Sequence, residues 1–424
     1  MSAGGNKPAN ADYVCHCLRV TKDEVLHAIR KQGAKDVDDL NHLTGACGGC
    51  ASCRWDLETL LRRELGPPHE LNLAPAWGGF DTSTMLTHAD ARSLTASAGM
   101  TAADTVAVLE LLMAGSLEPE AGAELLRSWA ARGETGTELA ATVRFLRSKA
   151  RSVPVATPCF DVCGTGGSGL ERFNVSTTVA FVAAAAGIPV AKHGNRGSRK
   201  PNGSFDLLDA LEVPFELEPE QEAQLQADSG LCFIFARTHH PAVGAVVPYR
   251  KAAGGRSIFN LAGPLANPAT VAKQIIGTID AGTAQVVAAA ITELKTAGAL
   301  VVWGEPGIDE ISVTGTTGYL AIAADGAITE GQLNQAPHAG LDYASLPHGD
   351  ASDNALTFAA ILDGRETGPL LDMVCANAGA AIDLWHGRAP ALLGEGASQA
   401  RELIASGAAK ALFEMHREMA RALG

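Results

Sequence analysis

The chain has 424 residues, 46% of them hydrophobic, enough to bury more than one core, and its length sets a prior of about three domains. A formal net charge of -14 argues against broad attraction to nucleic acid and leaves only local basic patches, such as one around Arg196, Arg199 and Lys200, to hold an anion. No apolar run reaches the roughly 20 residues that span a bilayer, and the opening MSAGGNKPANADY lacks the apolar core of a secretory signal, so a cytoplasmic protein without a membrane partner is expected.

The nine cysteines fall into two groups. Cys159, Cys163, Cys232 and Cys375 stand alone on apolar segments, where a free thiol serves as a small buried hydrophobe. The other five lie between Cys15 and Cys53: Cys15-His16-Cys17, then 32 intervening residues containing Cys47, then Cys50-Ala51-Ser52-Cys53. Between the pairs, residues 21–33 read as a capped amphipathic helix and 37–43 as a second short one, with a third over 54–65. A segment of about 50 residues gains needed stability from a metal centre. In a reducing compartment the two thiol pairs suit structural zinc or an iron–sulfur cluster better than disulfides.

The C-x-C pair, Val20-Thr21 opening a helix, and Leu43-Thr44-Gly45-Ala46 ahead of C-x2-C together resemble the bacterioferritin-associated ferredoxin-like [2Fe-2S] module. That resemblance implies a small all-helical domain over 11–65, a [2Fe-2S] cluster on Cys15, Cys17, Cys50 and Cys53, and a redox protein partner. Cys47 departs from the family pattern and is an alternative ligand to Cys50.

Residues 66–95, rich in Gly, Pro and Ala and without a sustained period, are expected to be a linker. Helical spacing returns over 96–150, with Val106, Leu109, Leu112 and Met113, then Ala121, Leu125 and Trp129, then Leu139, Val143 and Leu146 predicting three helices. Glu118-Pro119-Glu120 marks the start of the second.

The remainder, 151–424, is expected to be α/β with a mostly parallel central sheet. Residues 160–163 form an apolar run that stops at Gly164, Gly166, Gly167 and Gly169, a loop whose backbone N–H groups can approach an anion. Asn174, Ser176 and Thr177 stand where caps stand, and 179–186 is apolar on every side, so a buried helix is predicted with its N-terminus facing the loop. A second strand over 188–191 runs into Lys192, His193, Gly194, Asn195 and Arg196, polar residues at the end of the strand where α/β folds bind ligands. Residues 231–236 read as a buried strand and 300–303 as another, which leads to the adjacent carboxylates Asp309 and Glu310, a reasonable magnesium site.

GTGG, NVST and KHGNR, in this order and spacing, resemble anthranilate phosphoribosyltransferase of glycosyltransferase family 3. The match continues through His240-Pro241-Ala242, Arg250 and the run from Phe259 to Pro268, and extends from about residue 96 to the C-terminus. It implies the nucleoside phosphorylase/phosphoribosyltransferase fold, a helical subdomain contributing to a homodimer, and magnesium-dependent transfer of phosphoribosyl from phosphoribosyl diphosphate to anthranilate. The resemblance assigns the diphosphate to Gly164, Thr165, Gly166, Gly167, Asn174, Ser176, Thr177 and Lys192, and magnesium to Asp309 and Glu310 with Ser176 as a further oxygen. Substrate contacts also fall to His193, Asn195, Ser204, His240 and Arg250, with Lys192, Asn195 and Arg250 as the catalytic set. Ser168 replaces the aspartate of the family's GTGGD, which removes a charge beside the phosphate loop. The alternative reading is a relative that has lost catalysis and binds nucleic acid or a partner protein in response to the cluster's redox state.

Overall fold

The computed structural model describes residues 13–15, 20–35, 37–46, 57, 60, 61, 64, 86–197 and 201–424. Cys17, Cys47, Cys50 and Cys53 lie outside the described residues, as do Arg199 and Lys200. The chain divides into two compact units, residues 1–79 and 80–424.

In the first unit, β1 (Tyr13–Cys15) pairs antiparallel with β2 (Val20–Thr21), so the C-x-C pair begins at the end of a short strand. This corrects the all-helical expectation: the β-prone Tyr13-Val14 and Val20-Thr21 close a small ribbon before the first helix starts. That helix, Lys22–Gln32, opens on a capping box in which Thr21 Oγ1 accepts from Glu24 N at 3.3 Å and Thr21 N donates to Glu24 Oε2 at 2.8 Å. It closes on Gly33 in the left-handed region. With the helix Val37–Thr44, it buries Val25, Ala28, Ile29, Val37 and Leu40 against Leu57, Leu60 and Leu61.

The second unit begins with four helices, His88–Ala96, Ala102–Met113, Pro119–Arg132 and Gly136–Ser148. The first occupies the end of the stretch expected to be linker. Only Ala91 and Thr95 of its nine residues are buried, too few to show a helical period. Glu138, fully buried, ties this layer together: it accepts from Met100 N and Thr135 N, both at 2.8 Å, from Trp129 Nε1 at 3.2 Å and from Arg132 Nη2 at 2.5 Å. Burial raises the Glu138 carboxyl, but these donors outweigh it and hold the group below its ordinary range. The helices dock on the α/β part of the unit through close approaches at two glycines. A Cβ on Gly122 would overlap the Tyr249 ring, and one on Gly136 would press on Ala289 at 2.5 Å.

The core of the unit is a seven-stranded sheet ordered β5-β4-β3-β6-β7-β8-β9. β3 (Cys159–Gly164), β4 (Val190–Gly194), β5 (Leu231–Phe235), β6 (Val271–Gly277) and β7 (Gly298–Gly304) are parallel, while β8 (Thr317–Ala323) and β9 (Ile328–Leu333) continue antiparallel. The chain builds outward from β3 to β4 and β5, then returns to place β6 on the other side of β3. The crevice beyond the ends of β3 and β6 is therefore the topological switch point, where sheets of this type bind ligands. The helix Val175–Ala185 comes after β3 and is buried on nearly every side, with Phe181 against Phe233, Phe358 and Phe413 at centroid distances of 5.3, 5.5 and 5.3 Å. Cys159, Cys232 and Cys375 are buried and Cys163 is half-buried; burial pushes the Cys159 thiol up to about 12 and the Cys163 and Cys375 thiols up to about 11, so none is a ready nucleophile. Among the described residues no helix is long and apolar enough to cross a membrane.

Candidate active site at the sheet switch point

Gly164 ends β3, and Thr165 N donates to Gly277 O at 2.8 Å, which fastens the loop to the end of β6. Gly166 and Gly167 come next at φ of +66° and +90°, a pair of left-handed turns that only glycine adopts without strain. The loop closes onto the acidic pair. Gly166 N donates to Asp309 Oδ2 at 2.8 Å, and Arg172 Nη1 is ion-paired with Asp309 Oδ1. A Cβ on Gly164 would overlap the Asp309 carboxylate, and one on Gly277 would overlap the Asp309 backbone, so both glycines make room for that residue.

Glu310 lies beside it under different circumstances. It is 8% exposed, and its Oε2 is buried without a hydrogen-bond partner among the described residues. Burial pushes this carboxyl up to about 7, against the pull of Arg172 and Lys192. Asn377, from the helix Pro369–Trp385, clamps the next residue by donating to Ile311 O and accepting from Ile311 N, both at 2.9 Å. A small cavity between these groups is lined by Cys163, Gly164, Ser176, Asp309, Glu310 and Asn377.

Asn174 takes the N-cap position of the helix Val175–Ala185 without making a cap bond, a correction to its reading as a cap. Its side chain is engaged elsewhere: Oδ1 accepts from Asn354 Nδ2 at 2.8 Å, and Nδ2 donates to Asn202 O at 3.2 Å. Asn354 also donates to Asn202 Oδ1 at 2.7 Å, so three amides tie the glycine loop to the loop that precedes Ser204. Thr177 Oγ1 and Thr165 Oγ1 are buried without hydrogen-bond partners among the described residues, and Ser176 is half-buried at the cavity. Polar atoms and helix N–H groups thus converge on one space fit for an anion.

Lys192 and His193 belong to β4 itself rather than to the loop after it. Lys192 is 1% exposed and its Nζ donates to Val162 O at 2.7 Å. Asp161, in β3, is fully buried and accepts from His193 N at 3.2 Å and from Asn267 Nδ2 at 2.9 Å. Burial raises its carboxyl to about 6 against the pull of Lys192. The His193 ring meets Gly263 O through Nδ1 at 3.0 Å and packs edge-on to His240, with centroids 5.1 Å apart. Burial carries His193 well below the ordinary histidine value and His240 down to about 4, so both rings are neutral at neutral pH. Arg250 lies over Phe259 at 5.8 Å with Nη2 3.5 Å from Asn260 Oδ1; burial lowers its pKa from the ordinary value. The helix Ile258–Leu265 is common to Arg250 and His193, meeting one through Phe259 and Asn260 and the other through Gly263.

Asn195 is exposed and its Oδ1 accepts from Arg196 N at 2.8 Å. Ser204 begins the helix Ser204–Ala210, with its Oγ 3.3 Å from where a Cβ on Gly194 would stand. Of the expected basic patch, Arg196 is corrected, while Arg199 and Lys200 lie outside the described residues. Arg196 is held by Asp206 and Asp209 and lies over Phe215 and Phe235 at 5.5 and 5.8 Å, so its charge is committed within the fold. Arg172, Asp161, Asn354 and Asn377 escape a reading of the sequence. Each is a polar residue in or beside an apolar segment, and that is the only local sign of their roles.

A glycine loop and an open helix N-terminus at a parallel-sheet switch point, faced by a buried acidic pair, define an α/β enzyme for a phosphate-bearing substrate. Residues 156–410 match the family model described as the a/b domain of a glycosyl transferase family. The chain belongs to the anthranilate phosphoribosyltransferase family within that group. It is 40% identical over 322 residues to the anthranilate phosphoribosyltransferase of Novosphingobium aromaticivorans, covering 73% of this chain and 94% of that one. It is 41% identical over 317 residues to that of Rubrobacter xylanophilus, covering 74% and 92%. Among solved structures, the Thermus thermophilus enzyme superposes with a TM-score of 0.71 at 37% identity over 78% of this chain and 99% of that one. The Saccharomyces cerevisiae enzyme in complex with PRPP and Mg shares the fold, at a TM-score of 0.70 and 24% identity over 80% and 99%. Residues 13–63 match a second family model, the BFD-like [2Fe-2S] binding domain.

Proposed function

We propose that this enzyme transfers the phosphoribosyl group of phosphoribosyl diphosphate to anthranilate, with Mg2+ held by Asp309 and Glu310 and with Ser176 as a further oxygen donor. The observation that carries the reading is the buried acidic pair against the glycine loop, where Glu310 Oε2 has no hydrogen-bond partner among the described residues and suits a hard cation. Bound there, Mg2+ would offset the charge of the leaving diphosphate. Thr165, Gly166, Gly167, Ser176 and Thr177 offer N–H and O–H donors to the diphosphate, and Lys192 supplies a fixed positive charge beneath them. Asn174 acts by holding the loops in place.

On the acceptor side, the planar guanidinium of Arg250 suits the anthranilate carboxylate, and the neutral His193 and His240 rings offer no competing charge. The amine attacks the anomeric carbon as the bond to diphosphate breaks. No covalent nucleophile is needed, because the barrier falls through positioning and electrostatic stabilisation. The relatives' names support anthranilate as acceptor. The reading as a retired nucleic-acid binder is not favoured, since both carboxylates, the glycine loop and Arg250 are present together.

The test is direct. Full-length protein with phosphoribosyl diphosphate and Mg2+ is expected to consume anthranilate, followed by loss of its fluorescence, and Arg250→Ala is expected to raise the KM for anthranilate with little change in that for the diphosphate. Absence of transfer to any aromatic amine, with tight DNA binding at physiological salt, would reject the reading.

For the N-terminal segment, 11–65, we read a [2Fe-2S] cluster on Cys15, Cys17, Cys50 and Cys53, supported by the match over residues 13–63 and by four thiols in two close pairs. The stretch from residue 66 to residue 87 joins it to the transferase region, whose first helix is His88–Ala96. Cys17→Ser is expected to bleach the visible iron–sulfur absorption, and isolation of the protein with zinc and no iron would sink this assignment.

A further inference from the structure

The site contains a complete charge arrangement at Asp309. Its Oδ2 accepts from Gly166 N at 2.8 Å, a donor the diphosphate would use, and its Oδ1 is ion-paired with Arg172, a cation standing where the metal's charge would be needed. Asp309 is 6% exposed and packs against Gly164 through its carboxylate and against Gly277 through its backbone, which sets the carboxylate beside the glycine loop. The Arg172 side chain is 27% exposed and lies in the segment between the glycine loop and the helix Val175–Ala185, where it can turn to a new partner.

We propose that Arg172 is a placeholder cation, neutralising Asp309 in the free enzyme and exchanging it for the diphosphate when the metal arrives, so that metal and diphosphate bind as a coupled pair. The proposal rests on the phosphoribosyl transfer reading and adds to it. Without metal, the Asp309 carboxylate occupies Gly166 N–H and opposes an incoming anion. Without diphosphate, a divalent cation must displace Arg172 from Asp309, breaking the ion pair with no anion brought in to replace it. Arriving together, the two exchange every partner: the metal takes Asp309 and Glu310 Oε2, which has no hydrogen-bond partner among the described residues, and the diphosphate takes Gly166 N–H and Arg172. No charge is left unpaired at the end, which makes the coupling favourable and, by linkage, reciprocal.

The experiment measures binding on the full chain: Mn2+ alone by electron paramagnetic resonance, and phosphoribosyl diphosphate with and without saturating Mg2+ by calorimetry. Arg172→Gln is expected to bind Mn2+ alone about tenfold more tightly than the parent and phosphoribosyl diphosphate with Mg2+ about tenfold more weakly, shrinking the coupling. Arg172→Lys, which keeps the charge, is expected to move both values back toward the parent. Unchanged or weaker Mn2+ binding by Arg172→Gln, or identical behaviour of the Lys and Gln variants, would overturn the placeholder role while leaving the transfer reading intact. Failure of the parent protein to bind phosphoribosyl diphosphate with Mg2+ would overturn the transfer reading itself.

Discussion

Glu310→Gln is expected to melt at a higher temperature than the parent at pH 8 and to turn over more slowly by a factor on the order of 100 or more. The two effects share one cause. The Glu310 carboxyl is buried, with Oε2 unpartnered among the described residues, and burial lifts its pKa from 4.5 to about 7. The folded state therefore binds more protons than the unfolded state between those values, and stability is lost as pH rises from 4.5 through 7, after which the loss is constant. At pH 8 the ionised group carries a penalty on the order of 3 kcal/mol. Gln removes that charge but leaves a buried amide short of a partner, so the net gain is about 1 to 2 kcal/mol. At pH 5, where the folded parent is neutral at this position, most of the gain should vanish. Asp309→Asn should differ in sign, because Asp309 is already held by Gly166 N–H and Arg172, and its neutralisation removes the ion pair and weakens the charge-assisted hydrogen bond. Thermal melts of both variants at pH 5 and pH 8, with initial rates, test this. Equal gains at both pH values, or a Glu310→Gln enzyme with parental turnover, would contradict it.

Adjacent acidic residues after a strand are visible in the sequence, but their opposite circumstances are not, because these depend on groups far along the chain. Gly166 and Asp309, for example, are 143 positions apart. Strands with unbroken apolar runs are legible, and β3, β5 and β7 fall close to where the runs predict. β4 is longer than its apolar run: hydrophobicity stops at Ala191, yet Lys192 and His193 stay in register with Phe233 and Ile234 and are buried beside Asp161. In β6 the pattern is interrupted by Lys273 and Gln274. Lys273 Nζ instead donates to Leu384 O and Trp385 O at 2.9 and 3.0 Å, serving the carbonyl end of the helix Pro369–Trp385. Arg172 and Arg196 show the same limit from two sides. Each is one arginine in a polar loop, and only the fold places the first on a functional carboxylate and the second on structural ones.

The glycines around Asp309 should separate steric damage from chemical damage in a graded series. A methyl group on Gly277 would meet the backbone of Asp309, which no side-chain rotation relieves, so Gly277→Ala is expected to cost about 3 kcal/mol of stability and to displace the metal ligand. On Gly164 the methyl group meets the Asp309 carboxylate instead. The side chain can turn aside, at the loss of the Gly166 N–H bond and the Arg172 pair, so stability should fall by only about 1 to 2 kcal/mol. Turnover should nevertheless fall as far as in Gly277→Ala, on the order of 100-fold or more, because the displaced group is the proposed metal ligand itself. Gly166→Ala meets no atom within 4 Å and pays only for its φ of +66°, about 1 to 2 kcal/mol of strain, with Asp309 left in place. Its turnover should be the least affected of the three. Denaturant unfolding and initial rates on the full-length variants resolve the series. If Gly277→Ala were as stable as Gly166→Ala, or if Gly164→Ala kept parental turnover, Asp309 would not be the residue around which this site is built.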